Sequence, residues 1–179
     1  MKEKCVRIIS LRERKLYAFY LRESYPSHFF VGEMMQRDWN NEILIKLIAP
    51  DGASDGFLLF SFACAYRIEK DSIYLRALEN KVEHNQIILN FEETAWDTLL
   101  RYAKEQEIAV QLRDRKWKRL VSGFVVDFTA QNMIVQRIKK SGKIGQSRSY
   151  RRERIGFLFC GSDSEIALMH LYQETQHER

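Results

Sequence analysis

The sequence is short of the residues that loosen or staple a chain. Proline occurs 2 times and glycine 8 times in 179 residues, too few for long disordered linkers. Cysteine occurs 3 times, as Cys5, Cys64 and Cys160, an odd number set far apart. That excludes a disulfide framework or a zinc knuckle, both of which need clustered cysteines, and points to reduced, buried thiols. Long hydrophobic runs are missing too. The longest, near Phe57–Ala65, is broken by Ser61, whereas a membrane span needs about 20 apolar residues. The first residues, Met1-Lys2-Glu3-Lys4-Cys5-Val6-Arg7-Ile8, hold neither an apolar core nor a small-residue cleavage site, so no signal peptide is expected. The expectation is a cytoplasmic protein with no membrane contact.

Catalytic signatures are absent as well. There is no Gly-x-Ser-x-Gly elbow and no Walker-type phosphate loop. His28, His84, His170 and His177 share no metal-ligand spacing. Glu92-Glu93 and the pair Asp51/Asp55 fall at an expected helix start and an expected turn, where acids simply favour the helix dipole or face solvent. The sequence therefore predicts no enzyme, no cofactor and no metal.

What is present is charge, unevenly spread. The net charge is +5. Residues 111–155 carry 13 Lys/Arg against Asp114, Asp127 and Glu153, a local +10; the remainder holds 16 Lys/Arg and 21 Asp/Glu, a net of −5. Such asymmetry informs about partners more than about fold.

The chain also repeats itself. At an offset of 91, Gly32 meets Gly123, Met34 and Met35 meet Val125 and Val126, Asp38 meets Thr129, Asn41 meets Asn132, and Ile43, Leu44 and Leu47 meet Ile134, Val135 and Ile138. Both stretches continue into a glycine turn, Asp51–Gly56 and Ser141–Gly145, then a strand-like run, a short polar turn and a last apolar segment. The two glycines suit a sharply bent strand. Asp38-Trp39-Asn40-Asn41 and Thr129-Ala130-Gln131-Asn132 are turn chemistry, in which the side chain bonds its own backbone and a positive φ is tolerated. Tyr66–Ile68 and Ile73–Leu75 read as strands flanking a turn, as do Phe157–Phe159 and Glu165–Leu168. Ile166–Tyr172 fits strand or helix. Each unit thus offers about five short strands, the spacing of a small barrel or sandwich.

A helix is expected before each unit. Trp96, Leu99, Leu100 and Ala103 form an amphipathic stripe, with Thr94 and Asp97 as its start signal. Leu16, Tyr17, Phe19, Tyr20 and Leu21 suggest an earlier helix over Leu11–Arg22. Val6–Ile9 and Ile87–Leu89 are candidates for an extra strand. The predicted division is 1–84 and 85–179.

A helix followed by five short strands, the first bent at glycine, resembles the Sm-like (Lsm) barrel over about residues 11–79 and 93–172. Gly32, Asp38, Asn41, Ile43 and Ile45 follow the Sm pattern, with the asparagine one place early, and Gly123, Thr129, Asn132 and Ile134 follow it more loosely. The segment Tyr66–Leu75 also resembles uncharacterised bacterial tandem proteins of this fold. The resemblance implies a mainly β fold with short helices, two tandem Sm-like or SH3-like five-stranded barrels each preceded by a helix. It also implies RNA contact through the turn Asp38, Trp39, Asn40, Asn41 and its second copy Thr129, Gln131, Asn132. The family's second turn carries arginine and glycine; here Glu69-Lys70-Asp71-Ser72 has neither and Cys160-Gly161-Ser162-Asp163 lacks the arginine.

Independently of the resemblance, two basic runs with embedded aromatics point to nucleic acid. Arg113, Arg115, Lys116, Trp117, Lys118 and Arg119 form the first; Arg148, Tyr150, Arg152 and Arg154, alternating on one face if the segment is a strand, form the second. Arginine and lysine neutralise phosphates, and an aromatic ring can stack on an unpaired base. The alternatives are a solvated, aggregation-blocking basic face with Trp117 and Tyr150 in the core or at a strand edge and docking to an acidic protein, including another copy of this chain through strand-edge pairing. The expected function is a non-enzymatic module that binds single-stranded RNA through its basic second unit; the alternative is a protein-interaction or assembly module.

Overall fold

The computed structural model describes residues 15–82, 89, 91 and 94–177. Five strands come first: β1 (Leu16–Tyr20), β2 (Phe30–Arg37), β3 (Glu42–Ile48), β4 (Ser54–Ser61) and β5 (Arg67–Lys70), followed by helix α1 (Ile73–Glu79). After helix α2 (Ala95–Glu105) come β6 (Ala109–Arg113), β7 (Arg119–Phe128), β8 (Asn132–Ile138), β9 (Ile144–Arg151), β10 (Phe157–Cys160) and helix α3 (Asp163–His177). Single 3-10 turns at Phe62–Cys64 and Arg152–Arg154 lead into β5 and β10.

All ten strands join one open antiparallel sheet in the order β5-β1-β2-β3-β4-β10-β6-β7-β8-β9. The first five run fifth, first, second, third, fourth, and the second five run in the same internal order. The halves meet where β4 pairs with β10, Phe57 opposite Cys160 and Phe60 opposite Phe157. Among the described strands, the edges are β5 and β9. Local irregularities recur in step: a bulge between Met34 and Gln36 on β2 and between Val125 and Asp127 on β7, and another between Lys46 and Ile48 on β3 and between Gln136 and Ile138 on β8. The recurring glycine has a steric reason. A Cβ on Gly32 or Gly123 would run into the backbone carbonyl of Lys46 or Gln136 on the adjacent strand.

Strand composition follows position in the sheet. β3, β4 and β10 lie in its middle, and their apolar runs Ile43–Ile45, Phe57–Phe60 and Phe157–Cys160 are buried on consecutive residues. Strands covered on both faces read as continuous hydrophobic runs. One core cluster joins Leu44, Phe57 and Leu59 of the first half to Leu112, Val125, Val135 and Leu158 of the second, under α2 residues Leu99, Leu100 and Ala103. A second gathers Phe19, Ile43, Ile45, Leu58 and Phe60 with Phe157 and Phe159. A third packs Leu16, Ala18 and Tyr20 under Leu75 and Leu78 of α1.

Helix α2 forms where its stripe predicts. Thr94 Oγ1 accepts from the Asp97 amide at 3.1 Å, the N-cap bond of the helix, and donates to the Asp97 carboxylate at 2.8 Å. The helix expected over Leu11–Arg22 is not there: Leu16–Tyr20 is a strand paired on both sides, to β2 and β5, and residues 11–14 lie outside the described residues. Five apolar residues buried on both faces carry no period to separate strand from helix. Among the described residues, a helix thus leads into the second half only. The strand expected at Ile73–Leu75 is α1, whose Ser72 hydroxyl accepts from the Leu75 amide at 3.2 Å. Glu165–Leu168 and Ile166–Tyr172 are helical, within α3. Val6–Ile9 and the 84/85 division fall outside the described residues, and Leu89, the described part of Ile87–Leu89, is buried outside any strand. Cys160 is buried and Cys64 half-buried, both free; Cys5 lies outside the described residues. Burial pushes the Cys160 thiol well above its ordinary range. Among the described residues no helix is long and apolar enough to cross a membrane.

Candidate nucleic-acid interface

The second half carries an open groove of 780 Å³ between the β6–β7 turn and the end of β9. Its walls include Arg115 and Lys116 from the turn, Tyr150 and Arg151 from β9, Arg154 from the 3-10 turn, and Asn132 at the start of β8.

The turn is built on one carboxylate. Asp114 Oδ1 accepts from the amides of Lys116 and Lys118, both at 2.9 Å, and Trp117 takes a left-handed φ of 66°. This exposes Arg115 and Lys116 and sends Trp117 the other way. The indole stacks on Phe157 at 4.1 Å between centroids and donates Nε1–H to the Leu21 carbonyl at 3.3 Å. Trp117 therefore braces the turn against the first half and is not part of the groove. Lys118 and Arg119 are exposed, outside the groove lining, and Arg113 lines a different cleft.

The other wall departs from simple alternation. β9 ends at Arg151, and the 3-10 turn rotates the side chains of Arg152–Arg154 out of the strand's alternation. Arg152 is 8% exposed; it donates to Asp97 Oδ1 at 2.7 Å and lies 5.7 Å from the rings of Trp96 and Phe128. The expected single face of Arg148, Tyr150, Arg152 and Arg154 is thereby split. Arg148 is exposed on the edge strand outside the groove lining, Tyr150 is half-buried against the core, Arg152 is an internal tie, and Arg154 stays in the groove. Arg151, which alternation places on the opposite face, lines the groove. No signal short of the 3-10 turn itself identifies it, and the matching turn at Phe62–Cys64 lies in a segment without the same charges.

Four cations thus share the groove with two acids, Asp114 and Glu153. Glu153 lies 3.6 Å from Arg151, with both side chains largely exposed, and such a pair is screened and weak. The groove keeps a positive surplus beside one aromatic ring.

The two turns suggested by the Sm resemblance differ in role. Asp38 is buried; its Oδ1 accepts from Asn40 at 2.9 Å and Glu42 at 3.1 Å, and its Oδ2 accepts from the Ala95 amide at the start of α2 at 3.2 Å. Trp39 is 75% exposed, Asn40 is exposed, and Asn41 has φ 58° and accepts from Arg37 at 2.9 Å. In the second half, Thr129 Oγ1 accepts from Gln131 at 3.4 Å and Asn132 at 3.2 Å. Thr129 and Gln131 are exposed, and Asn132 alone of the three lines the basic groove.

His28 and His170 are exposed, and among the described residues no His, Cys, Asp and Glu side chains form a group of three or more that could hold a metal. Comparison of the chain with family models, with curated proteins and with solved structures returns no match.

Proposed function

We propose that the chain is a non-enzymatic, cytoplasmic binding module made of two tandem Sm-like, SH3-like five-stranded barrels, and that it binds single-stranded RNA along the groove of its second half. The observation that carries the reading is the meeting of Arg115, Lys116, Arg151 and Arg154 with Tyr150 in one groove, from segments some 35 residues apart in sequence. Cations along a groove follow a phosphate backbone, and an aromatic ring beside them takes a base of any identity. The repeated strand order, fifth-first-second-third-fourth, supports the barrel reading of each half.

Fluorescence anisotropy with labelled single-stranded RNA across a salt series tests it. Binding is expected to weaken linearly in log–log form. Each of Arg115→Gln, Lys116→Gln, Arg151→Gln and Arg154→Gln should reduce the slope by about 0.7, and Tyr150→Ala should cost about 1–3 kcal/mol. No binding at low salt overturns the proposal.

One observation favours a second reading, assembly. Within the chain, the fourth strand of one half pairs with the fifth strand of the other, β4 with β10. Among the described strands, the edges are again a fifth strand, β5, and a fourth strand, β9. Pairing β9 of one copy with β5 of the next repeats the internal junction head to tail, a heterologous contact that closes a ring or extends a filament. Light scattering over a concentration series checks this; a monomer at every concentration rejects it.

A further inference from the structure

A smaller cleft of 240 Å³ lies on the seam between the halves, apart from the basic groove. Arg22, just beyond β1, and Arg113, at the end of β6, both line it, together with Trp117. The two guanidinium carbons lie 5.4 Å and 5.9 Å from the centroid of the Trp117 indole. Arg113 is half-buried. Its Nη1 donates to the Trp117 carbonyl at 3.2 Å, and its Nε is buried with no hydrogen-bond partner among the described residues. Neither arginine has a carboxylate within salt-bridge distance among the described residues.

The neighbouring acids are engaged elsewhere. Glu165, buried at the start of α3, accepts from Gln111 Nε2 at 3.1 Å, from the Ser162 amide at 3.2 Å and from Ser164 Oγ at 2.6 Å. Asp55, which lines the cleft itself, accepts through Oδ1 from the Asp163 amide at 2.9 Å, and burial raises its pKa. Burial, and then the like charge of Arg119, lowers the pKa of Arg113; the Glu165 carboxylate offsets part of this, and Arg22 adds to the lowering. A partly desolvated guanidinium with an unmet donor and a like-charged neighbour is a costly arrangement unless an anion completes it.

We infer that this cleft is a binding site for a compact phosphate-type oxyanion, held between Arg22 and Arg113. The planar fork of arginine matches phosphate through paired N–H donors. Phe157 is stacked on the indole and both arginines lie within reach of it, so the cleft recognises the phosphate group and offers no free indole face to a base. The site is independent of the RNA groove, since none of the groove's four cations lines it.

The test monitors the Trp117 indole N–H by two-dimensional NMR while inorganic phosphate is added at ionic strength matched with sodium chloride. A saturable shift of that resonance is expected, with Kd at or below about 1 mM, and no comparable shift for Trp39 or Trp96. Arg113→Gln and Arg22→Gln should each weaken binding about tenfold. Arg113→Lys, which keeps the charge and loses the fork, should weaken it too, with its unliganded spectrum showing that the fold is retained. Uridine monophosphate, as a second arm, separates the sources: tighter binding than phosphate identifies a nucleotide end, and equal or weaker binding identifies the free ion. A shift that fails to saturate, that sodium chloride reproduces, or that survives in folded Arg113→Lys unchanged overturns the site.

Discussion

The two halves follow one strand order and bury opposite members of it. The fifth strand of the first half, β5, is a sheet edge with the sequence Arg-Ile-Glu-Lys, half-buried at best; the fifth strand of the second, β10, is Phe-Leu-Phe-Cys and buried throughout. The fourth strands reverse this: β4 is buried from Phe57 to Phe60, and β9 is largely exposed. One fourth strand and one fifth strand lie on the seam, and the other two lie on the rim. Place in the ten-stranded sheet, and not place in the repeat, decides which strand is apolar. Charge obeys the same rule. The rim strand β9 carries Arg148 and Arg151, and the groove forms beside it.

The largest test of this comparison removes the same position from both halves. Leu158 is fully buried on β10, and its counterpart Ile68 is half-buried on β5. Leu158→Ala should cost about 2–5 kcal/mol in urea unfolding, the range for a large-to-small change in a packed core, and Ile68→Ala about 1 kcal/mol. Equal losses would mean that the seam between β4 and β10 is not a packed core.

A second pair separates the turns that enter the fifth strands. Phe62 and Arg152 occupy the same place in their 3-10 turns. Phe62 is 39% exposed with the Arg37 guanidinium 4.5 Å from its ring, whereas Arg152 is buried on Asp97. The difference traces to α2, which covers the second half and presents Asp97 there. Breaking a largely buried ion pair leaves an uncompensated charge. Arg152→Ala should therefore cost about 2–3 kcal/mol, and Phe62→Ala under about 1 kcal/mol. Chemical denaturation of both variants reads the contrast, and a mild Arg152→Ala would show that α2 is held by its apolar face alone.

Much of this order is legible in the sequence, and the failures have a common cause. The Asp38–Asn41 turn, the paired glycines and the stripe of α2 are local signals, and each names its structure within a few residues. The strand β1 reads as a helix because Leu16-Tyr17-Ala18-Phe19-Tyr20 is apolar on consecutive residues, a pattern shared by any element buried all round. Helix α1 has a local signal, Ser72 before Leu75 and Leu78, but the polar run Glu69–Ser72 between two apolar triplets mimics a hairpin turn and masks it. Arg152 reads as a surface group, and Trp117 is left open between base-stacking ring and core, because their partners, Asp97 and Leu21, lie 55 and 96 residues away. The candidate groove is half legible: both basic runs contribute, but which of their residues meet depends on where β9 ends and on the inward turn of Trp117.

The smallest expected effect concerns the residue that leaves the first turn of each half. It is Glu42 in the first half and Asn132 in the second, each the first residue of the next strand, whose carbonyls accept from Asp38 and Thr129; the first turn is one residue longer, so the structure matches Asn132 to Glu42 and not to Asn41. Burial raises the Glu42 pKa above its ordinary value; a hydrogen bond from Trp96 lowers it, Asp38 raises it, Arg152 lowers it and Asp97 raises it, in falling order of size. An acid with a raised pKa in the folded state stabilises the fold fully below its unfolded pKa, and that contribution is lost as pH rises through the folded value. Asn132 carries no such charge. Glu42→Gln keeps an acceptor for Trp96 and removes the titration, so it makes the first turn electrically like the second. Its Tm should equal the parent's near pH 4 and exceed it by no more than about 2–4 °C at pH 8. Thermal melts across that range decide the point. A variant less stable than the parent at pH 8 would mean that the Glu42 charge is held favourably beside Arg152, and that the two turns differ in charge because the packing around α2 selects it and not because the fold tolerates it.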